Sequence, residues 1–242
     1  MKNIRIFENK QAAVESLADQ LCQWSAMPRQ DRRGFHIALA GGSTPRALYE
    51  LLATSPYMDD FDWRDTGFYF GDERCVGRDH QDSNYRMARR ALFDHVPVEM
   101  SHIFPMAGDA ADLDKAAADY ERTIRENVPQ SGQIPRFDMV LLGMGDDGHT
   151  ASLFPETTAL REQHKLVVPV FVPKLNSWRL SFTYPLINNA ARVVMLVTGA
   201  AKAGIVAEVI SGGGEQRYPV QAVQPVGEFY WYLDQEAAAR LE

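Results

Sequence analysis

The sequence predicts an α/β protein with a mostly parallel sheet flanked by helices on both faces. Short apolar runs alternate along the chain with segments of helical periodicity, and a glycine-containing loop follows each run. Near-continuous apolar strands of this kind are typical of parallel sheets that are covered on both faces. Ligands of such sheets bind beyond the carboxyl ends of the strands. We therefore expect the glycine loops to meet at one site.

Four apolar runs are predicted as strands. In chain order they are HIALA (36–40) before GGSTP, GFYF (67–70) before GDER, FDMVLL (137–142) before GMGDDGH, and RVVMLV (192–197) before TGAAKAG. Apolar residues at helical spacing predict helices in RALYELLATS (46–55), NYRMARRALFDHV (84–96), DKAAADYERTIREN (114–127) and AKAGIVAEVI (201–210). No repeat, linker or low-complexity tract divides the 242 residues, so we expect a single domain over 1–242.

Composition narrows the functional class. The net charge of -7 at pH 7 argues against a broad nucleic-acid-binding surface. No apolar run approaches the roughly 18 residues of a membrane span, and the first segment lacks a signal-peptide core. Cys22 and Cys75 are the only cysteines, so we expect a cytoplasmic protein without a disulfide framework. Neither they nor the histidines have metal-ligand spacing, and no metal is predicted.

The first loop, GGSTP, favours an anionic ligand. Ser43 or Thr44 can cap the following helix, and Pro45 suits its first turn. Gly41 and Gly42 allow the backbone to approach a ligand, whose negative charge is favoured by the free N–H groups of the helix start. An ordinary strand-to-helix turn is the alternative. The loop has neither the G-K-[ST] of a Walker A loop nor the G-x-S-x-G of a nucleophile elbow.

The third loop has the G-x-G-x-x-G pattern of a dinucleotide-binding turn, in Gly143, Gly145 and Gly148. That motif normally opens its fold and is followed about 20 positions later by an acidic residue that holds ribose. Here it lies past mid-chain, and no strand ends in Asp or Glu at that spacing. Asp146 and Asp147 would also repel a pyrophosphate within the turn. We therefore expect no nicotinamide or flavin cofactor.

The same turn brings His149 to the ligand edge of the sheet, at the predicted start of a helix. A helix N-terminus disfavours imidazolium, so His149 is predicted to be a neutral proton acceptor. Arg74, Arg179 and Lys202 are loop cations that could converge there. Arginine can bind a phosphate bidentately and lysine adds a point charge, whereas surface ion pairs are the alternative for each.

These motifs resemble those of the glucosamine-6-phosphate isomerase/6-phosphogluconolactonase family, on the side of its bacterial 6-phosphogluconolactonases. The matching stretches run over nearly the whole chain: AGGSTPRALYELL, FYFGDERCVGRDHQDSNYRMARRAL, FDMVLLGMGDDGHTASLFP, the PK and R of VPKLNSWRLSFTYPLINNAARVVMLVTGAAKA, and WYLDQEAA. The resemblance implies the fold shared by glucosamine-6-phosphate deaminase and ribose-5-phosphate isomerase. It also implies cofactor-free hydrolysis of 6-phospho-D-glucono-1,5-lactone to 6-phosphogluconate in the pentose phosphate pathway.

On this interpretation His149 is the general base that activates water, and Asp72 orients Arg74 or the substrate hydroxyls. The GGST turn and Gly145, together with Arg74, Arg179 and Lys202, would bind the phosphorylated sugar. Which cation contacts the phosphate stays open at this point, as do the donors to the oxyanion.

Two alternative functions come from different classes. A glucosamine-6-phosphate deaminase would use Asp72 to move a proton, but the D-E-Y and G-H-I-A-F-N-E-P stretches of that enzyme are DER and GHTASLFP here. A sugar-phosphate-sensing module without catalysis would need the phosphate loops but not His149, and it would need a DNA-binding segment to report what it senses. The residues favour the lactonase over both.

Overall fold

The computed structural model of the chain describes residues 2–28, 34–211 and 217–241. In chain order the strands are β1 (Lys2–Phe7), β2 (Phe35–Leu39), β3 (Thr66–Phe70), β4 (Asp72–Arg74), β5 (Gln130–Ser131), β6 (Ile134–Pro135), β7 (Met139–Leu142), β8 (Val167–Val172), β9 (Ser177–Phe182), β10 (Arg192–Val197) and β11 (Glu228–Asp234). The helices are α1 (Lys10–Ser25), α2 (Ser43–Leu52), α3 (Tyr57–Asp60), α4 (Asn84–Ala88), α5 (Leu113–Asn127), α6 (Tyr184–Asn188), α7 (Ala203–Ser211) and α8 (Gln235–Ala238).

The main sheet has six parallel strands in the spatial order β1–β11–β10–β7–β2–β3. Every residue of β2, β3 and β7 is buried, although successive side chains of a strand point to opposite faces. Both faces of the sheet centre are therefore covered. Side chains on both faces must then be apolar, which explains why these strands are continuous apolar runs in the sequence. The predicted fold class is confirmed, and the four predicted strands are β2, β3, β7 and β10.

A second, antiparallel sheet of the order β4–β9–β8 lies beside the first and was not predicted. GDER, expected to be a loop, contains β4, because its three residues pair with β9. The register places Arg74 directly opposite Arg179. Two cations that are far apart in the sequence therefore become cross-strand neighbours.

The predicted helices are present, with different ends. The segment expected to form one helix over 84–96 is α4 followed by a π-helical turn over Arg89–Phe93. The side chain of Ser83 caps α4 by accepting a hydrogen bond from the Arg86 N–H. None of the helices in the described part of the chain has the length and apolar character needed to cross a membrane.

Candidate active site

A cleft of about 470 Å³ opens where β2, β3, β7 and β10 reach their carboxyl ends. This is the edge at which a parallel sheet of this kind binds ligands. The loops after all four strands contribute to the lining, and the β8–β9 hairpin closes one side of it. The lining contains every site residue predicted from the sequence: Gly41, Gly42, Ser43, Thr44, Asp72, Arg74, Gly145, His149, Arg179 and Lys202. Their functional roles remain predictions.

The GGST loop presents the start of α2 to this cleft. Gly42 is the N-cap with a φ of 107°, and no side chain caps the helix. The expectation that Ser43 or Thr44 would cap it is wrong, because α2 begins at Ser43 itself and the cap position falls on Gly42. The Thr44 hydroxyl instead lies 3.0 Å from the hydroxyl of Thr198 in the loop after β10. Since the first N–H groups of a helix have no partner within it, the start of α2 can donate to an anion.

The loop that carries His149 is a tight turn and not the start of a helix. The Gly145 N–H donates to the His149 carbonyl at 2.9 Å, and the Gly148 N–H donates to the Gly145 carbonyl at 3.1 Å. Gly148 has a φ of 70°, which favours glycine. The chain continues through further turns to a 3-10 helix at Thr158–Arg161. The predicted helix start at His149 is therefore wrong, and a dinucleotide motif would require such a helix after its glycines.

The imidazole of His149 is held by a carboxylate instead of a helix dipole. Its Nδ1 lies 2.5 Å from Oδ1 of Asp147, and the ring stacks on Phe154 with the ring centroids 3.8 Å apart. Gly145 lies directly under the ring, where a Cβ would come within 2.1 Å of Nδ1. Carboxylate, glycine and phenyl ring together determine the orientation of the imidazole.

Asp147 also accepts a hydrogen bond from Lys174 Nζ at 3.0 Å, on its second carboxylate oxygen. Partial burial alone would raise the pKa of the Asp147 carboxyl, but the hydrogen bonds from His149 and Lys174 outweigh it and lower the pKa to about 2. Asp147 is therefore an anion throughout the neutral pH range. With one oxygen bound to Lys174, the carboxylate presents the other to the histidine in a fixed position.

Asp147 and Lys174 are the site residues that the sequence interpretation missed. Asp147 was considered only as a charge that would repel a pyrophosphate. The available signal was its position two residues before His149, since Asp side chains commonly bond the backbone two residues on. Asp147 does so here, accepting from the His149 N–H at 3.3 Å. Lys174 lies at the tip of the β8–β9 hairpin, and nothing in its local sequence indicates that it reaches the turn.

Arg74 and Arg179 form a pair of like charges at the edge of the cleft. Nη1 of Arg74 donates to the Asp82 carbonyl at 2.7 Å, and Nη1 of Arg179 donates to the Ser177 hydroxyl at 2.6 Å. Burial and the adjacent Arg74 charge lower the pKa of the Arg179 guanidinium. Because these partners are neutral oxygens and like charges opposite each other on a sheet are unfavourable, an anion between them would be stabilising.

Lys202 differs from the two arginines because its Nζ is hydrogen-bonded to the carboxylate of Asp146. The ion pair that was the alternative interpretation of each cation thus exists for Lys202. Asp146 is mostly exposed, so the pair is in contact with solvent and adds little to stability. The sequence-predicted cations therefore form two groups, an arginine pair with neutral partners and a lysine with an acidic partner.

Asp72 lies in the cleft but is hydrogen-bonded to different groups from those expected. Within the described residues its carboxylate accepts from the Ser152 hydroxyl at 2.7 Å and from Asn84 Nδ2 at 3.3 Å. The expected orientation of Arg74 by Asp72 is therefore not a direct hydrogen bond in this structure. Across residues 2–28, 34–211 and 217–241 no group of three or more side chains is arranged to bind a metal ion.

The fold and the site define a class: an α/β protein whose ligand cleft combines a histidine–aspartate pair with a pair of arginines. The chain belongs to the family described as Glucosamine-6-phosphate isomerases/6-phosphogluconolactonase, whose model matches residues 8–231.

Two relatives show how far the similarity extends. The chain is 44% identical to a 6-phosphogluconolactonase of the cyanobacterium Synechocystis over 207 residues, which are 85% of this chain and 84% of that protein. Its structure is similar to that of the 6-phosphogluconolactonase from Trypanosoma brucei, with a TM-score of 0.89, 28% identity, and coverage of 100% of this chain and 99% of that one.

A monomeric glucosamine-6-phosphate deaminase has the same fold. Its TM-score is 0.81 at 20% identity, and the match covers 98% of this chain and 99% of that one. The expected likeness to the deaminase fold is thereby confirmed. At this identity the comparison concerns the fold alone.

Proposed function

We propose that this protein is an enzyme that hydrolyses 6-phospho-D-glucono-1,5-lactone to 6-phosphogluconate, a reaction of the pentose phosphate pathway, in one domain spanning 1–242. The observation that carries the proposal is that a carboxylate-held His149 and the Arg74–Arg179 pair line the same cleft. Such a cleft offers a proton acceptor for the lactone end of the substrate and cations for its phosphate end. The names of the relatives described above support the same reaction.

The His149–Asp147 pair would supply the general base. A carboxylate that accepts from Nδ1–H keeps a neutral imidazole in the tautomer whose Nε2 has the free lone pair. Nε2 then takes a proton from water as the water oxygen bonds to C1 of the lactone. The tetrahedral oxyanion then collapses, and the bond from C1 to the oxygen of the lactone ring breaks. The protonated imidazole of His149 returns its proton to that oxygen.

The phosphate would lie between Arg74 and Arg179. The lactone carbonyl is at C1 and the phosphate at C6, at opposite ends of the substrate, so anchoring one end orients the other. The N–H groups at the start of α2 are further donors in the same cleft. The Gly145 N–H is already used by the His149 carbonyl, which gives Gly145 a role in shaping the turn.

We further propose a cytoplasmic location, which the free thiols of Cys22 and Cys75 support.

Replacing Arg74 or Arg179 by Ala is expected to reduce the preference for the phosphorylated lactone over plain gluconolactone. A hydrogen bond to a charged group contributes about 1.5–3 kcal/mol, so we expect the ratio of the two kcat/KM values to fall roughly 10- to 150-fold. Each variant is assayed on both lactones, with spontaneous hydrolysis subtracted.

The matched control is Arg122→Ala. Arg122 is an exposed arginine on α5 whose guanidinium pairs with Asp119, and its loss should leave the preference unchanged. If both Arg74→Ala and Arg179→Ala kept the preference of the wild type, the arginine pair would not be the phosphate site.

A further inference from the structure

A cluster of buried polar side chains adjoins the cleft, with Ser152 in the lining, and the proposed reaction makes no use of it. Its members are Glu73, Ser83, Asn84 and Ser152, each at most 3% exposed. Burying so many polar groups is costly unless they are hydrogen-bonded. Their contacts connect the cleft residue Asp72 to three segments: the start of α4, the loop that carries His149 and the loop that contains Gly41.

Glu73 anchors the cluster. One of its carboxylate oxygens accepts from the N–H groups of Arg74 and Asn84, both at 2.7 Å, and the other accepts from the Tyr85 N–H at 2.8 Å and the Ser83 hydroxyl at 3.0 Å. Burial nevertheless raises the pKa of this carboxyl above its ordinary value. Four donors from β4 and the start of α4 thus converge on one side chain. The backbone at Asn84 is held firmly against β4 as a result.

From this position the Asn84 amide contacts two residues of the cleft lining, Asp72 and Gly41. Its Nδ2 donates to the Asp72 carbonyl at 2.9 Å and to the Asp72 carboxylate at 3.3 Å. Its Oδ1 occupies the space above Gly41, where a Cβ would come within 2.1 Å. Gly41 does not have a positive φ, so its backbone conformation does not require glycine. The amide of Asn84 does, because it occupies the space that a Cβ at position 41 would need.

Ser152 holds the other side of the same carboxylate. Its hydroxyl donates to Asp72 at 2.7 Å, and its N–H donates to the Ser181 hydroxyl of β9 at 3.1 Å. Ser152 lies three residues after His149, in the same series of turns. Asp72 is therefore held from α4 on one side and from the histidine loop on the other.

We propose that Asn84 and Ser152 are positioning residues that hold the Asp72 carboxylate as a fixed acceptor for a hydroxyl group of the sugar in the cleft. A carboxylate offers about four acceptor sites, and the two neutral donors leave both its charge and its remaining lone pairs available to the cleft. A hydroxyl bound in this way fixes the rotation of the sugar about the axis from phosphate to lactone. The inference rests on the proposed function, because it assumes that the ligand is a polyhydroxylated phosphosugar.

The decisive variant is Asn84→Asp, which has nearly the shape of the wild-type side chain. At low pH the new carboxyl carries a proton and can donate one hydrogen bond to the Asp72 carboxylate, in place of the amide N–H that does so in the wild type. At higher pH two carboxylates face each other and repel, so Asp72 leaves its position. We expect kcat/KM for the lactone, and affinity for 6-phosphogluconate, to be near those of the wild type measured at the same acid pH. Toward pH 8 both should fall roughly 10- to 150-fold below the wild type, the range for loss of a charge-assisted hydrogen bond.

The matched control is Asn189→Asp. Asn189 also donates through Nδ2 to backbone carbonyls, those of Ile134 and Pro135, but it lies outside the cleft lining. A structural loss should appear in both variants as a lower melting temperature, whereas the alkaline loss of affinity should appear only in Asn84→Asp. The other ionisable groups that face Asp72 or its cleft are unchanged in both variants: Tyr49, Glu73, Arg74, Asp146, Asp147, His149, Lys174, Arg179 and Lys202.

A second measurement uses the contact between Asn84 and Gly41. Gly41→Ala should displace the amide from Asp72 and lower the affinity for 6-phosphogluconate about as much as Asn84→Ala does. In the double variant the methyl group fills the space that the amide has left, so the two losses should not add. Should Asn84→Asp fail to fold, Ser152→Ala takes its place, with an expected fall in kcat/KM of roughly 10-fold.

The outcomes separate this inference from the proposed function. A wild-type protein that neither hydrolyses the lactone nor binds 6-phosphogluconate would overturn both. An active wild type with an Asn84→Asp variant whose pH profile matches that of the wild type would overturn this inference alone, as would an unchanged Ser152→Ala variant or additive losses in Gly41→Ala/Asn84→Ala.

Discussion

Replacing His149 by Asn is expected to lower kcat/KM for the lactone by roughly 10²–10⁴-fold, the usual contribution of a general base. Asn keeps a polar group of similar size against Asp147 but cannot accept the proton from water. Affinity for 6-phosphogluconate should stay near the wild-type value, because neither the arginine pair nor the start of α2 is altered. The assay follows lactone disappearance after subtraction of the spontaneous rate, and the affinity is measured separately by calorimetry.

The pH profile provides an independent check on His149. A general base acts only in its unprotonated form, so the acid side of the kcat/KM profile should differ between the wild type and the His149→Asn variant, which has no such base. His164→Asn serves as the control, since His164 is exposed and lies outside the cleft lining. A His149→Asn variant with near-wild-type hydrolysis above background would show that His149 is not the base, and Asp72 would be the next candidate.

Replacing Asp147 by Asn is expected to lower kcat by about 10²-fold or more while leaving KM less affected. An amide can donate to Nδ1 as well as accept from it, so the imidazole loses the carboxylate that selects its tautomer. Lys174 loses its anionic partner in the same substitution, which weakens the contact between the β8–β9 hairpin and the histidine loop. The measurement is a comparison of kcat and KM with those of the wild type.

The same substitution should change stability in a pH-dependent way. The pKa of Asp147 lies at about 2, below its ordinary value of 3.8, so the ionised carboxylate favours the folded state. That contribution, about 2 kcal/mol in the free energy of unfolding, is present above roughly pH 4 and is lost as the pH falls toward 2. Asp147→Asn should therefore be less stable than the wild type near pH 7 and should approach it in strong acid.

Asp146→Asn is the matched control for Asp147. Asp146 is the adjacent residue, it is mostly exposed, and its carboxylate pairs with Lys202 and not with the histidine. We expect only a small change in kcat from this control. Equal losses in the two Asn variants would mean that charge in the turn matters and that the contact with His149 does not.

The fold class could be predicted because the central strands are buried on both faces. RVVMLV, for example, was expected over 192–197 and coincides with β10. Loops after parallel strands meet at one edge by the geometry of the sheet, so the cleft and its lining also follow from the sequence. The strands β1 and β11 and the antiparallel β4–β9–β8 sheet were not predicted. The pairing of β4 with β9 joins residues more than a hundred positions apart, and the pairing of β1 with β11 joins residues more than two hundred positions apart.

The contacts that orient the proposed catalytic side chains were harder to predict from the sequence, because several of them join residues that are far apart in the chain. The sequence indicates His149, but the helix start predicted there does not form, because the chain continues from the glycine turn into further turns. The contact from Lys174 depends on where a hairpin tip lies in space. Asn84 looked like an ordinary helix residue, and only its distances to Asp72 and Gly41 distinguish it.

The reaction proposed for this cleft is the hydrolysis of a phosphorylated sugar lactone. The most direct test is to generate 6-phospho-D-glucono-1,5-lactone enzymatically, add the purified protein at once, and measure 6-phosphogluconate formation against the spontaneous rate, with glucosamine 6-phosphate offered in a parallel reaction. We predict that lactone hydrolysis accelerates in proportion to protein concentration and that glucosamine 6-phosphate releases no ammonia. A lactone rate equal to the spontaneous rate, or ammonia release from glucosamine 6-phosphate, would contradict it.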